Sequence, residues 1–417
     1  MKPKLLTTLE TYDRHQFQHD AIAGFTVALV ALPLSIAIAI ASGAPPATGL
    51  ITAVIGGFLV SALGGSRVQI GGPTGAFIVV VYGVIANHGF DGLLLATLLA
   101  GVMLVIGGLL RAGRLIRLIP GSVVEGFTIG IALVIALSQI KDLAGLQTGT
   151  LPAEFLPKIE GLWAARATVD WPALLLGVAT IAGIALVRRL APQFRGRAVI
   201  VILTSAVAVL ALPTVETVES RYGALPDGLP WPVLPHATLD MVLEVLPSAF
   251  TIALLAGIES LLSALVADRL IQGAHRTSAE LLAQGAANIT SPLFGGLPVT
   301  GAIARTATNV DAGGRTPVAG MMHAAFILLA MVLLAPLAGK LALPALAGLL
   351  ILTAWSMSEP GRWRHRLSMP RVDLFLLVLT AVLTVLVDLT LAIGIGTALG
   401  LATRAWMRSR GRFSAGD

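Results

Sequence analysis

The sequence predicts an all-α polytopic membrane protein of about fourteen spans, built as two seven-span repeats of opposite orientation. Three observations predict it: an apolar composition, a regular succession of apolar segments, and two motifs that recur in nearly one register. Hydrophobic residues make up 56% of the 417 residues and charged residues only 12%, far below the roughly one quarter expected of a soluble domain. Mean hydropathy is +0.88. Residues 21–66 contain no Asp, Glu, Lys or Arg, and one helix crosses a bilayer with about 20 apolar residues, so this stretch alone holds two spans.

The first apolar run leads straight into more apolar sequence, without the cleavage region of a signal peptide, so no targeting segment is expected to be removed. Zero cysteines exclude disulfides, thiol catalysis and cysteine-bound metal or iron–sulfur sites. The 28 Lys and Arg outnumber the 22 acids, but they sit in short loops. That placement fits the positive-inside rule and not a nucleic-acid surface.

Apolar runs bounded by charges, Pro and Gly place spans near 21–41, 46–64, 73–87, 92–110, 121–140, 171–188, 198–213, 241–267, 278–293, 300–311, 316–338, 342–357, 372–388 and 389–407. An even count puts both termini on one side. The basic ends (Lys2, Lys4, Arg14; Arg404, Arg408, Arg410, Arg412) mark that side as cytoplasmic, which predicts a multi-pass protein of the inner (plasma) membrane. Arg67, Arg111, Arg114, Arg117, Arg188, Arg189, Arg195, Arg197, Arg269, Arg276, Arg315, Arg362, Arg364, Arg366 and Arg371 then fall inside as well. Only Lys141, Lys158, Arg166, Arg221 and Lys340 fall outside, with Arg305 alone in a span. A miscounted helix would have flipped every later loop. The outer connections 141–170 and 214–240 read as interfacial or loop segments.

Phe25-Thr-Val-Ala-Leu-Val-Ala-Leu-Pro-Leu-Ser35 in the first span matches Phe250-Thr-Ile-Ala-Leu-Leu-Ala-Gly-Ile-Glu-Ser260 in the eighth, an offset of 250 − 25 = 225. Thr74-Gly-Ala-Phe77 recurs as Thr300-Gly-Ala-Ile303, an offset of 300 − 74 = 226. The unit is therefore duplicated, and seven spans per copy invert the second against the first. The division that follows is a cytoplasmic segment 1–20, a first repeat 21–213, an outer loop 214–240, a second repeat 241–407 and a cytoplasmic tail 408–417. Inverted repeats characterise secondary transporters, with the site at the repeat interface near the midplane.

Gly71-Gly-Pro73 forbids a continuous helix and leaves only about 15 apolar residues, too few to span. Gly295-Gly-Leu-Pro298-Val-Thr300 repeats the pattern before the tenth segment. Each is read as an extended approach to mid-membrane followed by a half-helix, opening at Pro73 and near Thr300. Irregular backbone at that depth is tolerated only where it lines a cavity or is packed in protein. Two facing helix N-termini gather unpaired N–H groups and positive dipole ends, which suits an anion. The small residues Gly75, Ala76, Gly301 and Ala302 would let it approach the backbone. Arg305 would add positive charge, or pair with a buried acid. Glu259 is the one acid in the central part of a span, and burial disfavours the charged form of a carboxyl group. It is the candidate proton-coupling residue, with Arg305, Ser260 or Ser263 as possible structural partners.

Ser122-Val-Val-Glu125 reads as a capping box, and Asp268 and Asp388 as span-end residues. His88, His275, His323 and His365 lack metal-ligand spacing, so no metal site is expected. Gly394-Ile-Gly396 lies inside a span and follows no strand. With no nucleotide motif and no cofactor expected, transport would be gradient-driven.

Several stretches in order resemble the sulfate permease family, also called the solute carrier 26 anion transporters. They are Leu32-Pro33 with Gly43-Ala-Pro-Pro46-Ala-Thr-Gly-Leu50; Gly71-Gly-Pro-Thr-Gly-Ala76; Pro120-Gly-Ser-Val-Val-Glu-Gly-Phe127; Gly257-Ile-Glu-Ser260; Glu280-Leu-Leu-Ala-Gln-Gly-Ala-Ala-Asn288; and Pro298-Val-Thr-Gly-Ala-Ile-Ala-Arg-Thr-Ala-Thr-Asn309 running into Gly313-Gly-Arg-Thr316. The resemblance covers residues 15–407. It implies a non-enzymatic secondary transporter in which a core domain moves against a gate domain, as a homodimer in the lipid bilayer. Its anion site corresponds to Leu34 and Ile38, Thr74 and Gly75, and Ile303, Ala304 and Arg305. Many members carry Gln and aromatic residues where this chain has Leu34, Ile38 and Thr74, and many continue into a cytoplasmic STAS domain that this sequence does not include. The expected activity is proton-coupled symport of a dicarboxylate such as fumarate by alternating access. Sulfate or bicarbonate transport, sodium coupling, a passive anion channel, a scaffold or receptor without flux, and a nucleobase permease are the alternatives.

Overall fold

A computed structural model describes residues 2–113, 119–149, 151–191, 197–387 and 389–409. Arg114, Arg117, Arg195, Asp388, Arg410, Arg412 and the tail beyond 409 lie outside the described residues, as do the side chains of Arg197, Arg404 and Arg408.

The long helices are α1 (Arg14–Ala41), α2 (Pro46–Leu63), α3 (Ile78–Leu109), α4 (Gly121–Ser138), α6 (Trp171–Leu190), α7 (Arg197–Ala211), α8 (Leu239–Ile271), α9 (Thr277–Leu293), α11 (Pro317–Gly339), α12 (Leu343–Met357), α13 (Arg371–Leu386) and α14 (Leu389–Ser409). Shorter are α5 (Phe155–Ala164), in the connection after α4, and α10 (Ile303–Asp311). Seven of the described helices are long and apolar enough to cross a membrane unaided. Each of the fourteen expected segments falls on helix, α3 holding the third and fourth. It bends at Gly89, whose φ of 70° is a conformation open to glycine at little cost.

Local chemistry sets several boundaries. Asp13 accepts the Gln16 N–H at 2.8 Å, so α1 begins at Arg14, ahead of the apolar run. Thr238 and Thr316 cap α8 and α11 in the same way. The capping box expected at Ser122–Glu125 is not formed. Pro120 is the N-cap of α4, so Ser122 already lies inside the helix. Its hydroxyl donates to Asp373 at 3.3 Å, while Glu125 accepts from Arg366 at 2.7 Å and pairs with Arg362 at 3.1 Å.

Packing sorts the helices into two bodies. In the core body α9 and α8 pack on α3, α11 on α1 and α2, and α10 on α8 and α1. The flanking body joins α4, α6, α7, α12, α13 and α14. Where the two bodies meet, α12 and α7 touch α1, and α4 touches the turn at 75–77.

Within the core body lie two short buried strands, β1 (Gly71–Gly72) between α2 and α3 and β2 (Thr300–Gly301) between α9 and α10. They pair antiparallel, Gly71 opposite Gly301 and Gly72 opposite Thr300. This shifts both half-helix starts from those expected. The first begins as a 3-10 turn at Gly75, not at Pro73, and the second at Ile303, not at Thr300. The intervening residues are extended because each repeat satisfies the other's backbone groups there. The mid-membrane polar backbone is thus paired across the repeats.

Candidate functional site

A polar stripe on α9 secures the approach to both strands. Glu280, Gln284 and Asn288 are four residues apart on one face and fully buried. Glu280 accepts the Gly65 and Ser66 N–H groups at 2.9 and 3.2 Å, before β1. Asn288 accepts the Val299 N–H at 2.9 Å and donates to the Val299 carbonyl at 2.8 Å, before β2. Further bonds tie one repeat to the other: Ile70 N–H to Thr306 Oγ1 at 3.1 Å, Asn309 Nδ2 to the Val68 carbonyl at 2.9 Å, and Ala302 N–H to the Ile70 carbonyl at 2.8 Å. Ser260 on α8 accepts the Gly301 N–H at 3.0 Å and lies 2.9 Å from the Thr300 hydroxyl. The strand pair is therefore held from three sides.

Arg305 is the third residue of α10 and only 3% exposed. Its Nη2 donates to Ser35 Oγ at 3.0 Å and to the Pro73 carbonyl at 3.1 Å. The guanidinium thus reaches from the second half-helix to the foot of the first. Its Nη1 packs against Gly72 without a hydrogen-bond partner. Gly72 has φ +147°, and a Cβ there would stand 3.4 Å from Arg305 Cζ and displace Nη1, so glycine is required on both counts.

Glu259 is partly buried on α8, and its Oε2 accepts the Thr74 hydroxyl at 2.9 Å. It makes no ion pair with Arg305, and its sequence neighbours are engaged elsewhere: Ser260 with β2 and Ser263 with Thr306 at 3.3 Å. Among the described residues the arrangement leaves a buried cation without a carboxylate partner, near an acid whose partner is a neutral hydroxyl.

The other expected residues surround these. Gly75 and Ala76 are buried at the first half-helix start, Gly301 and Ala302 at the second. Ile303, 43% exposed, and Ala304 face open space, whereas Leu34 is half-buried and Ile38 is packed in the core. The flanking body closes over the first start. A Cβ on Gly75 would lie 3.2 Å from Ile135 Cδ1 and 3.4 Å from Met357 Sδ. Ile135, Met357, Ser35 and Gln69 border this candidate site and were not singled out from the sequence. Gln69 donates to the Ser260 carbonyl at 3.2 Å and lies against Gly301. His323 is buried in the core body with no partner on either ring nitrogen, and no metal-holding group of His, Cys, Asp and Glu occurs among the described residues.

This geometry can be set beside known proteins. The profile described as the sulfate permease family matches residues 17–380. The putative sulfate transporter YvdB of Bacillus subtilis is 41% identical over 392 residues, spanning 94% of this chain and 74% of that protein. The bicarbonate transporter BicA of a Picosynechococcus species is 30% identical over 397 residues, spanning 90% and 68%. Among solved structures, the transmembrane domain of a cyanobacterial BicA superposes with a TM-score of 0.83 at 30% identity, covering 91% of this chain and 98% of that one. The structure of SLC26A9 superposes with a TM-score of 0.87 over 97% of this chain and 68% of that one; at 15% identity it shows the shared fold. The chain belongs to the sulfate permease family, as a multi-pass membrane protein with that family's helical transmembrane fold.

Proposed function

We propose that this chain is a secondary active anion transporter working by alternating access, and that it moves a dicarboxylate such as fumarate together with a proton. The observation that carries the reading is Arg305, a buried guanidinium at the start of a half-helix, with neither a partner for Nη1 nor a paired carboxylate among the described residues. A fixed charge held so deep is expensive unless a mobile counter-ion compensates it, and the first-turn N–H groups of both half-helices add to the same attraction. Glu259, bonded among the described residues to Thr74 alone, is the group we assign to carry the proton. Ile303 and Leu34 make the accessible wall apolar, which suits a carbon skeleton between two carboxylates better than a fully hydrated inorganic ion.

By the positive-inside rule the end of the bundle that carries the termini is cytoplasmic in the inner (plasma) membrane. The inverted repeats 21–213 and 241–407 then exchange roles as the core body moves against the flanking body, in a homodimer. The names of the relatives favour a second reading, sulfate or bicarbonate as the anion, with sodium in place of the proton as the corresponding alternative.

A screen of sulfate, bicarbonate, chloride and fumarate in proteoliposomes, with and without a pH gradient, tests both readings. One pH unit is worth about 1.4 kcal/mol per proton, enough for about tenfold accumulation at zero membrane potential. Fumarate concentrated to that extent is the expected result. Uptake indifferent to pH removes the proton, and uptake of sulfate or bicarbonate alone replaces the substrate.

A further inference from the structure

At the end of the bundle away from the termini, one lysine is buried without a counter-charge. Lys158 on α5 is 5% exposed and makes no salt bridge among the described residues. Its ammonium lies over the Tyr82 ring, 4.6 Å from the centroid. Burial lowers its pKa below the ordinary lysine value, outweighing the attraction of the exposed Glu154 on the same loop. A long side chain on an outer loop ordinarily extends its charge into water; this one is turned inward.

What it is turned towards is the seam between the two bodies. Tyr82 belongs to the first half-helix, seven residues and about 10 Å beyond Gly75 along the helix axis. Its hydroxyl donates to the Leu151 carbonyl at 2.7 Å. Leu151 and Lys158 lie on the loop whose helix, α5, packs on α4 and α13 of the flanking body. Both contacts therefore cross from one body to the other. Beside them is a residual cavity of about 10 Å³, lined by Ile78, Val79 and Tyr82 on the core side and by Val134, Ser138 and Lys158 on the other. It is at the lower limit for one water molecule, and its lining residue Ile78 stands three residues beyond Gly75 on the first half-helix.

We infer that Lys158 is the outer capture residue for the transported anion. With the seam closed, its ammonium is parked on Tyr82. When the bodies separate at this end, it is the first cation an entering anion meets on the way to Arg305. The inference rests on the transport reading, and its test has one arm that needs no flux.

In the flux arm, radiolabelled fumarate, sulfate and bicarbonate are each tried in proteoliposomes of known orientation. For a probe that moves, Lys158→Gln should raise the external KM about tenfold, the scale of one lost charged contact. The KM from the terminal face should stay within about twofold, and Lys158→Arg should restore the external value. In the labelling arm, Ser138→Cys supplies the sole thiol in a chain with no cysteine. It should react with an externally added anionic methanethiosulfonate about tenfold faster than with a cationic one, and Lys158→Gln should bring that ratio to about one. An unchanged external KM, an equal rise on both faces, a reagent preference indifferent to Lys158, or a thiol that never reacts would each overturn the inference. If no probe moves through the native protein, the transport reading fails while the reagent ratio still decides the role of Lys158.

Discussion

The two half-helices occupy equivalent places in the two repeats, yet they present different chemistry to the site between them. The first starts as a 3-10 turn at Gly75 with no charged residue in it, and Ile135 and Met357 lie over it. The second starts at Ile303 in open space and brings Arg305 within its first turn. The first holds the acid, through Thr74 and Glu259; the second holds the fixed positive charge. Neither is complete alone, because the Arg305 guanidinium is anchored on Ser35 and on the Pro73 carbonyl of the opposite repeat. The two helix ends are equivalent in backbone and divergent in side chains, and under the proposed function one attracts the anion and the other carries the coupling.

The sharpest way to break this asymmetry is to remove the charge. Arg305→Ala should lower anion uptake by about 100-fold, since it deletes the counter-charge and leaves Ser35 and the Pro73 carbonyl without their donor. Arg305→Lys separates the two effects. It restores a point charge but cannot reproduce the planar fork, so uptake should recover only in part, measured as initial rates in proteoliposomes. Full recovery would show that the field matters and the anchoring does not.

Next in size is the acid. Glu259→Gln keeps the volume and can still accept the Thr74 hydroxyl, but it cannot carry a proton. Downhill uptake should persist, whereas accumulation under a one-unit pH gradient should fall from about tenfold to about one. Retained accumulation would move the proton to another group or to another ion.

The positions of these two residues were legible because an isolated charge in an apolar run is conspicuous. The Thr74 and Thr300 motifs were legible because their register coincides with that of Phe25 and Phe250. The half-helix starts were displaced by two or three residues for a physical reason. Gly71 pairs with Gly301 across the fold, a contact no local propensity reports. Ser35, Ser260 and Thr300 stand in the matched motifs, but their bonds to Arg305 and to β2 were not legible there, because hydroxyls are common in membrane helices and only their three-dimensional partners distinguish them. Glu280, Gln284 and Asn288 carried a usable signal, a four-residue spacing of polar groups on one helix. The Ser122–Glu125 spacing suggested a cap, and failed because the helix had already begun and two arginines from the α12–α13 connection claimed the carboxylate.

A smaller effect is expected at the link between the first half-helix and α8. Thr74→Val removes the one donor to Glu259 and should lower proton-driven uptake about fivefold, within the range of a single hydrogen bond. Thr74→Ser keeps the hydroxyl and should stay within about twofold of the native rate. Equal losses in the two variants would assign Thr74 to packing.

The smallest effect tests the covering of one start and the openness of the other. Gly75→Ala places a methyl group 3.2 Å from Ile135 Cδ1 and 3.4 Å from Met357 Sδ. Both are ends of flexible side chains, so the cost should be about 1 kcal/mol, at the low end for overpacking. It falls on the arrangement in which the flanking body closes over Gly75, and should appear as a lower thermal midpoint. Ala304→Val adds bulk where α10 is open. It should leave the midpoint unchanged and weaken anion binding instead, read as a higher KM for anion uptake. If both substitutions moved the same quantity, the two helix ends would be equivalent walls of one cavity, and the division between covered and open would lose its meaning.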